Sequence, residues 1–475
     1  MVHHFRRVGE QWPGVADRYR RGISATTDPT GPSPASRPRG GPGARRLVGS
    51  AGIGVVVSGL LVNVYLAVVA RALTPAEYAT FGAFWALALV LGFGPFLPLE
   101  QELARRLSLR ESRRQVLLAG AATAAVLAGL ALVVLLAAYP LASRSLDADP
   151  WAFGALVALC LVSAGQFLLR GVLIGTDRLV RHGAVMVLDA LLRLGCAVVL
   201  LAAGGKQASL FCWALVAAIA LAHLPLIPGA WRRAEHEVAV GVGTAAPARH
   251  TTCALVGSAT PLLVGSVCAQ LLLNGLPVVV VALAHGTAQA AAGVFVAAFT
   301  LAKAPLSMVV PLQSAVVPTL TRLLGSGRRR EVLGLLAKGA AGLVGLAVVG
   351  VPLAWWLGPS IVGLVFGSEY RIPGVQLAVI IAGVLAHVGL VVVTQVHVAR
   401  GRHVDVAASW LVGLAVAGVT FALVPGVVVA GEVAFGAGSA VGAVVSALLL
   451  VLTPETTGPA GPTVPPGTDD GTVQA

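Results

Sequence analysis

From residue 47 to residue 452 the chain alternates long apolar stretches of about 20 residues with short polar ones. A helix needs about 20 apolar residues to cross a hydrocarbon core roughly 30 Å thick, so each stretch predicts a membrane span. Twelve follow: 47–70, 80–99, 116–138, 151–169, 184–203, 208–228, 254–283, 289–317, 332–357, 375–399, 407–424 and 432–452. The runs are continuously apolar, whereas membrane barrel strands alternate apolar and polar residues. The fold class is therefore an all-α integral membrane protein.

Composition agrees, with 57% hydrophobic residues, 11% charged ones and a mean hydropathy of +0.87. Such a chain cannot cover a water-facing surface. A net charge of +13 raises the question of nucleic acid, and the placement of that charge answers it for the membrane. With a cytoplasmic amino terminus, 26 Lys and Arg fall on inside segments, and only Arg71, Arg144, Lys206 and Arg371 fall outside. That bias is the positive-inside rule, and it puts both termini in the cytoplasm and the chain in a cell membrane. Tyr139, Trp151, Trp355 and Trp356 then sit near the outer interface. Thirty Arg against three Lys suggests a GC-rich bacterial genome.

Residues 1–46 read as a basic, largely disordered tail, too polar for a signal peptide. Within it Phe5, Val8, Trp12 and Tyr19 share a face among arginines, which suits either a membrane surface or a plain tail. Residues 453–475 read as a second disordered tail. Cys160, Cys196, Cys212, Cys253 and Cys268 have no paired spacing, so neither a metal site nor a disulfide framework is indicated.

"RRQVL" at Arg113 and "RREVL" at Arg329 are offset by 216 residues, and "PLE" at Pro98 and "PLQ" at Pro311 by 213. The match places span 2 on span 8 in the same orientation. It predicts two six-helix bundles related as parallel repeats, 47–228 and 254–452, joined by a cytoplasmic linker at 229–253. Both partners carry prolines in comparable places, Pro95 and Pro98 in span 2 and Pro305 and Pro311 in span 8. Proline frees backbone groups that lipid cannot satisfy, so these are either helix breaks facing protein or water, or ordinary packing kinks.

A charge at the bilayer centre costs about 2.5–3.5 kcal/mol, so each one needs a reason. Asp189 and Arg193 lie four apart on span 5 and can neutralise each other. Lys338 lies close enough to the inner end to snorkel. Lys303 sits mid-span beside a proline with no acid nearby, which points to an anionic ligand. Asn63, Gln270 and Asn274 can extend a polar cavity, as can Gln166 and His387, or they can bond between helices. No Walker loop and no paired outer carboxylates are found, which argues against an enzyme and against any cofactor.

"ARALTPAEYATFGAFWALALVLGFG", through Arg71, Leu73, Pro75, Glu77, Tyr78 and Phe81, resembles the first outer hairpin of bacterial polysaccharide exporters. These are repeat-unit flippases of the multidrug/oligosaccharidyl-lipid/polysaccharide superfamily. "RGVLIGTDRLVRHGAVMVLDALLRLG" is similar to their inner loop between spans 4 and 5. "LVFGSEYRIPGVQLAVIIAG", through Phe366, Gly367 and Tyr370, is similar to the segment leading into span 10. Span 7 departs from the pattern, reading "LLLNGLPVVVV" where an acid often follows. The resemblance implies translocation of a polyprenyl-pyrophosphate-linked oligosaccharide to the outer leaflet by alternating access, with a polymerase and glycosyltransferases as partners. A multidrug antiporter, a peptidoglycan-precursor flippase, and a membrane enzyme or scaffold are the alternatives.

Overall fold

The computed structural model describes residues 42–108, 112–230, 232, 264–306, 320–324, 326 and 328–452. The chain divides into two units, Met1–Val48 and Gly49–Ala475. Of the first, only the opening of one helix is described, and the predicted tails otherwise lie outside the described residues, as does most of the linker. Apart from that opening, everything below concerns the second unit.

Among the described residues the protein is helical and has no strand. Span 1 belongs to the helix Pro42–Ala72. Spans 2 to 7 are Pro75–Ser108, Arg113–Ala137, Pro150–Gly175, Leu179–Ala202, Ala208–Ala230 and Val264–Leu283. Span 8 is described from Thr287 to Ala302, and spans 9 to 12 are Arg329–Phe366, Gly374–Ala399, His403–Leu423 and Val427–Leu452. Eleven are long and apolar enough to cross a membrane. The predicted remainder of span 8, including Pro311, lies outside the described residues, as does the predicted start of span 7.

Spans 2 and 9 differ most from expectation. Span 2 begins at Pro75 rather than residue 80, because the polar residues form its first turn. Thr74 is the N-cap, its hydroxyl accepting from the Glu77 N–H, and Pro75 fills the first helical position, where no donor is needed. Span 9 runs unbroken for 38 residues, through Pro352 and Pro359. Trp355 and Trp356 along it are exposed, as rings at a membrane interface would be.

Span 2 is broken where its prolines predict. Helix Pro75–Leu87 passes into a π turn at Ala88–Phe93, then a 3-10 turn at Gly94–Phe96 holding Pro95, then helix Leu97–Ser108 with Pro98 in its first turn. Span 8 is helical to Ala302, after which Lys303, Ala304 and Pro305 form a turn. Span 7 carries a second π turn at Leu271–Gly275.

Lipid tails are as apolar as leucine, so the helices are held together by close packing and hydrogen bonds. Gly171 and Gly175 on span 4 let the second helix of span 2, Leu97–Ser108, come close. A Cβ on Gly171 would lie 2.9 Å from the Glu100 carbonyl oxygen, and one on Gly175 would lie 2.8 Å from Ala104 Cα. The two halves meet where span 2 faces span 8, through a glycine on each. A Cβ on Gly82 would lie 2.3 Å from a Val296 methyl, and one on Gly293 would lie 1.7 Å from the Pro75 carbonyl oxygen. One apolar core runs through both halves here, including Phe81, Phe84, Phe295 and Phe299. At the opposite end Phe96, Leu103, Val116 and Phe167 form a core within the first half, and Leu320, Val332, Val396 and Leu450 one within the second.

Candidate functional site

Three of the predicted polar residues meet beside the helix breaks. Lys303, at the end of the described helix of span 8, donates from Nζ to Asn274 Oδ1 at 2.9 Å. Asn274, in the π turn of span 7, donates from Nδ2 to Gln270 Oε1 at 2.7 Å. The ammonium also lies 5.1 Å from the centroid of the Phe299 ring. Asn274 is buried, whereas Lys303 and Gln270 keep partial exposure. A Cβ on Gly94, at the break in span 2, would lie 3.4 Å from Gln270 Cγ, so the chain reaches the junction of the halves.

The direction of this chain matters chemically. Because lysine can only donate, Asn274 must accept with its oxygen and pass its amide hydrogen to Gln270. One of three Lys303 N–H groups is spent on Asn274, and the Gln270 amide retains its N–H donors. The arrangement offers positive charge and donors together, which is what an anion requires.

Asp189 and Arg193 do not join it. They form a buried ion pair along span 5, Arg193 Nε donating to Asp189 Oδ1 at 2.9 Å and Nη2 to Oδ2. Among the described residues no hydrogen bond or ion pair links the pair to Lys303. Asn63 turns inward on its own helix, its amide donating to the Gly59 carbonyl at 2.8 Å. His387 lies within the second half, its Nδ1 3.2 Å from Ser439 Oγ and its ring stacked on Phe435. Gln166 is buried on span 4 with Oε1 unpartnered among the described residues.

The end that the charge rule assigns to the outside is sealed by the two halves capping each other. Span 1 ends with its last carbonyls lacking intrahelical donors, and Tyr370 supplies one, its hydroxyl lying 3.0 Å from the Ala70 carbonyl and 3.1 Å from that of Leu73. Reciprocally, Arg71 donates from Nε to the Val365 carbonyl at 3.0 Å and from Nη2 to that of Leu364, at the end of span 9. A cation at a helix C-terminus also suits the helix dipole. Tyr78 packs edge-on against Tyr370 with centroids 5.7 Å apart, and lies 6.2 Å from Phe366. Burial, with Tyr78 and Glu369 adding to it, holds the Tyr370 hydroxyl above the ordinary tyrosine range, so it stays a donor.

A family model described as polysaccharide biosynthesis protein matches residues 46–324, more than half of the chain. The chain belongs to this family. Two uncharacterized proteins of Mycobacterium tuberculosis (strain ATCC 25618 / H37Rv) are also similar. One is 30% identical over 407 residues, covering 82% of this chain and 88% of its own. The other is 28% identical over 411 residues, covering 84% and 88%. Among solved structures, the inward-facing conformation of a multidrug resistance MATE family transporter of the MOP superfamily matches with a TM-score of 0.59 at 15% identity. It covers 85% of this chain and 93% of that one. The outward-facing conformation matches at 0.55 and 14% identity, covering 85% and 94%. These likenesses establish the fold, a two-repeat membrane bundle.

In this polysaccharide biosynthesis protein the two outer motifs, far apart in sequence, become one structure. Arg71 and Tyr78 of the first touch Val365, Phe366 and Tyr370 of the second. Glu77 acts within the first half, its Oε2 accepting from the Ala208 N–H at 2.8 Å at the start of span 6. Two features were missed. Glu100 pairs with Arg170 at 3.0 Å between spans 2 and 4, although Arg170 reads as loop charge in the sequence. Glu432, at the predicted edge of span 12, is buried with Oε1 unpartnered among the described residues.

Proposed function

We propose that the protein is a flippase that moves a polyprenyl-pyrophosphate-linked oligosaccharide from the inner to the outer leaflet by alternating access. The reading rests on one observation, the donor chain of Lys303, Asn274 and Gln270 placed at the junction of two repeat-related halves. The chain is suited to a pyrophosphate, and the apolar surround is suited to a carrier tail left in the bilayer. Membership of a polysaccharide biosynthesis family supports a sugar cargo. A sealed outer end with separate inner cores fits a resting state that loads from the inside. A polymerase and glycosyltransferases are the partners this role requires.

Reconstituted protein and labelled lipid-linked oligosaccharide test the proposal, with an external probe reading the sugar that reaches the outer leaflet. Lys303→Ala is expected to abolish the signal while the protein still inserts and elutes normally. A wild-type rate removes Lys303 from the mechanism, and no transfer by the wild type rejects the flippase.

A multidrug antiporter is the second reading, and Glu432 is the observation that favours it. Asp189, Glu100 and Asp405 are each paired with arginine, so Glu432 is the buried carboxylate best placed to exchange a cation among the described residues. Drug-resistance assays in a pump-deficient host separate the two.

A further inference from the structure

A second basic site lies wholly within the first half, away from the junction. A cavity of about 370 Å³ opens among the ends of spans 4, 5 and 6, with the start of span 3 at its edge. Four arginines line it: Arg113, Arg178, Arg181 and Arg232. Leu169, Leu173 and Leu226 contribute an apolar wall, and the Thr176 hydroxyl beside them donates to the Val172 carbonyl at 2.7 Å. Among the described residues no Asp or Glu lines it.

The turn between spans 4 and 5 places two of these arginines. The N–H groups of Thr176, Asp177 and Arg178 donate to the carbonyls of Val172, Ile174 and Leu173 at 3.0, 3.0 and 2.8 Å. Asp177 takes a left-handed φ of 56°, a conformation that Asp tolerates better than most residues. The chain therefore reverses in three residues and re-enters helix at Leu179, with Arg178 before it and Arg181 in its first turn. Arg113 and Arg178 also make contacts within the protein.

We propose that this pocket binds the phosphate-bearing headgroup of an inner-leaflet lipid. Four guanidinium groups line one cavity, and their forks of donors suit a phosphate anion. The combination of charge and apolar wall matches an amphiphile, with the phosphate on the arginines and the first methylenes along the leucines. Its depth matches too, because these span ends belong to the side rich in Lys and Arg, where basic pockets between helices meet headgroups. The volume admits one headgroup rather than an oligosaccharide. The site is thus distinct from the junction and does not depend on the transport reading.

Native mass spectrometry of the full-length detergent-purified protein tests this with phosphatidylglycerol, phosphatidylcholine, a polyprenyl phosphate and inorganic phosphate as probes. Phosphatidylglycerol or polyprenyl phosphate is expected to bind at least tenfold tighter than phosphatidylcholine, and competition between them tells which source fills the pocket. Each arginine removed is expected to weaken binding about fivefold, so Arg178→Gln with Arg181→Gln loses about 25-fold. The lysine pair at these positions restores most of it, and Arg114→Gln, outside the pocket, changes nothing. Equal affinity for the charged and zwitterionic lipids overturns the proposal. So does unchanged affinity in a glutamine variant that melts and elutes like the wild type. Inorganic phosphate binding as tightly as the lipids also overturns it, because the pocket would then be a free-anion site.

Discussion

Gly293 on span 8 lies so close to Pro75 on span 2 that a Cβ on the glycine would meet the proline carbonyl oxygen at 1.7 Å. The obstructing atom is backbone, so side-chain rotation cannot relieve the contact. Gly293→Val is therefore expected to unseat the outer seal by about 1–3 kcal/mol or more. A cysteine placed at Leu73, in a background without native cysteines, would then react faster with an impermeant maleimide. Gly82→Ala should do less, since the atom in its way is a Val296 methyl that can move.

Tyr370 serves as a hydrogen-bond cap on span 1. Tyr370→Phe keeps the ring against Tyr78 but leaves the carbonyls of Ala70 and Leu73 without their donor. A cost of about 1–3 kcal/mol to the sealed state is expected, read as a shift towards longer distances between spin labels on spans 1 and 9.

The same residue sets a pH dependence. Its hydroxyl is held above the ordinary range in the sealed state, mainly by burial. The neutral form is thus favoured when sealed. Its contribution is fully present below the ordinary tyrosine pKa of about 10 and is lost progressively as pH rises above it towards the raised value. Spin-label distances should be constant from about pH 5 to 9 and should shift towards the open state above about 10. A shift below pH 9 would assign the seal to another group.

Asp189 and Arg193 neutralise each other in a buried setting. Removing either alone strands a charge, so Asp189→Leu or Arg193→Leu is expected to cost about 3–5 kcal/mol of stability, seen as a lower melting temperature in detergent. The double substitution to leucine should recover most of the loss. Transport that survives in the double variant would make the pair structural, whereas its specific loss at normal stability would give it a role in the pathway.

Gly171→Leu and Gly175→Leu should each separate span 4 from the second helix of span 2, because the residues they face are backbone and Cβ atoms of Glu100, Leu103, Ala104 and Leu107. Loss of the monodisperse elution peak is expected. Gly195→Leu, at a position with open space around it, is the control and should elute normally.

Much of this was legible in the chain. Span 10 was predicted at 375–399 and runs from Gly374 to Ala399, because a continuous apolar run in lipid has no alternative to helix. The breaks at Pro95 and Pro305 followed from proline chemistry, and the Asp189–Arg193 pair from helical spacing. Asn274 and Gln270 were candidates one turn apart, yet their bond to Lys303 depends on how spans 7 and 8 cross, which no local pattern encodes. The outer seal was hidden for a similar reason. Arg71 and Tyr370 bond to backbone carbonyls, and every residue has one, so the partners carry no signature. Asn63 was a cavity candidate, and its amide donates to the Gly59 carbonyl of its own helix. The extra length of span 9 was concealed by Pro359, just past the predicted end at residue 357, because proline usually marks an end but here lies inside the helix.

That long helix has a mechanical consequence. At about 1.5 Å per residue its 38 residues reach roughly 57 Å, nearly twice the hydrocarbon thickness. One tip ends at the carbonyls gripped by Arg71, and the other, at Arg329, reaches the last turn of span 12 through the Leu450 carbonyl. A strut of this reach behaves as a lever, in which a tilt of about 5° displaces the far tip by about 5 Å. Releasing the grip of one arginine on one side of the bilayer is thereby felt on the other.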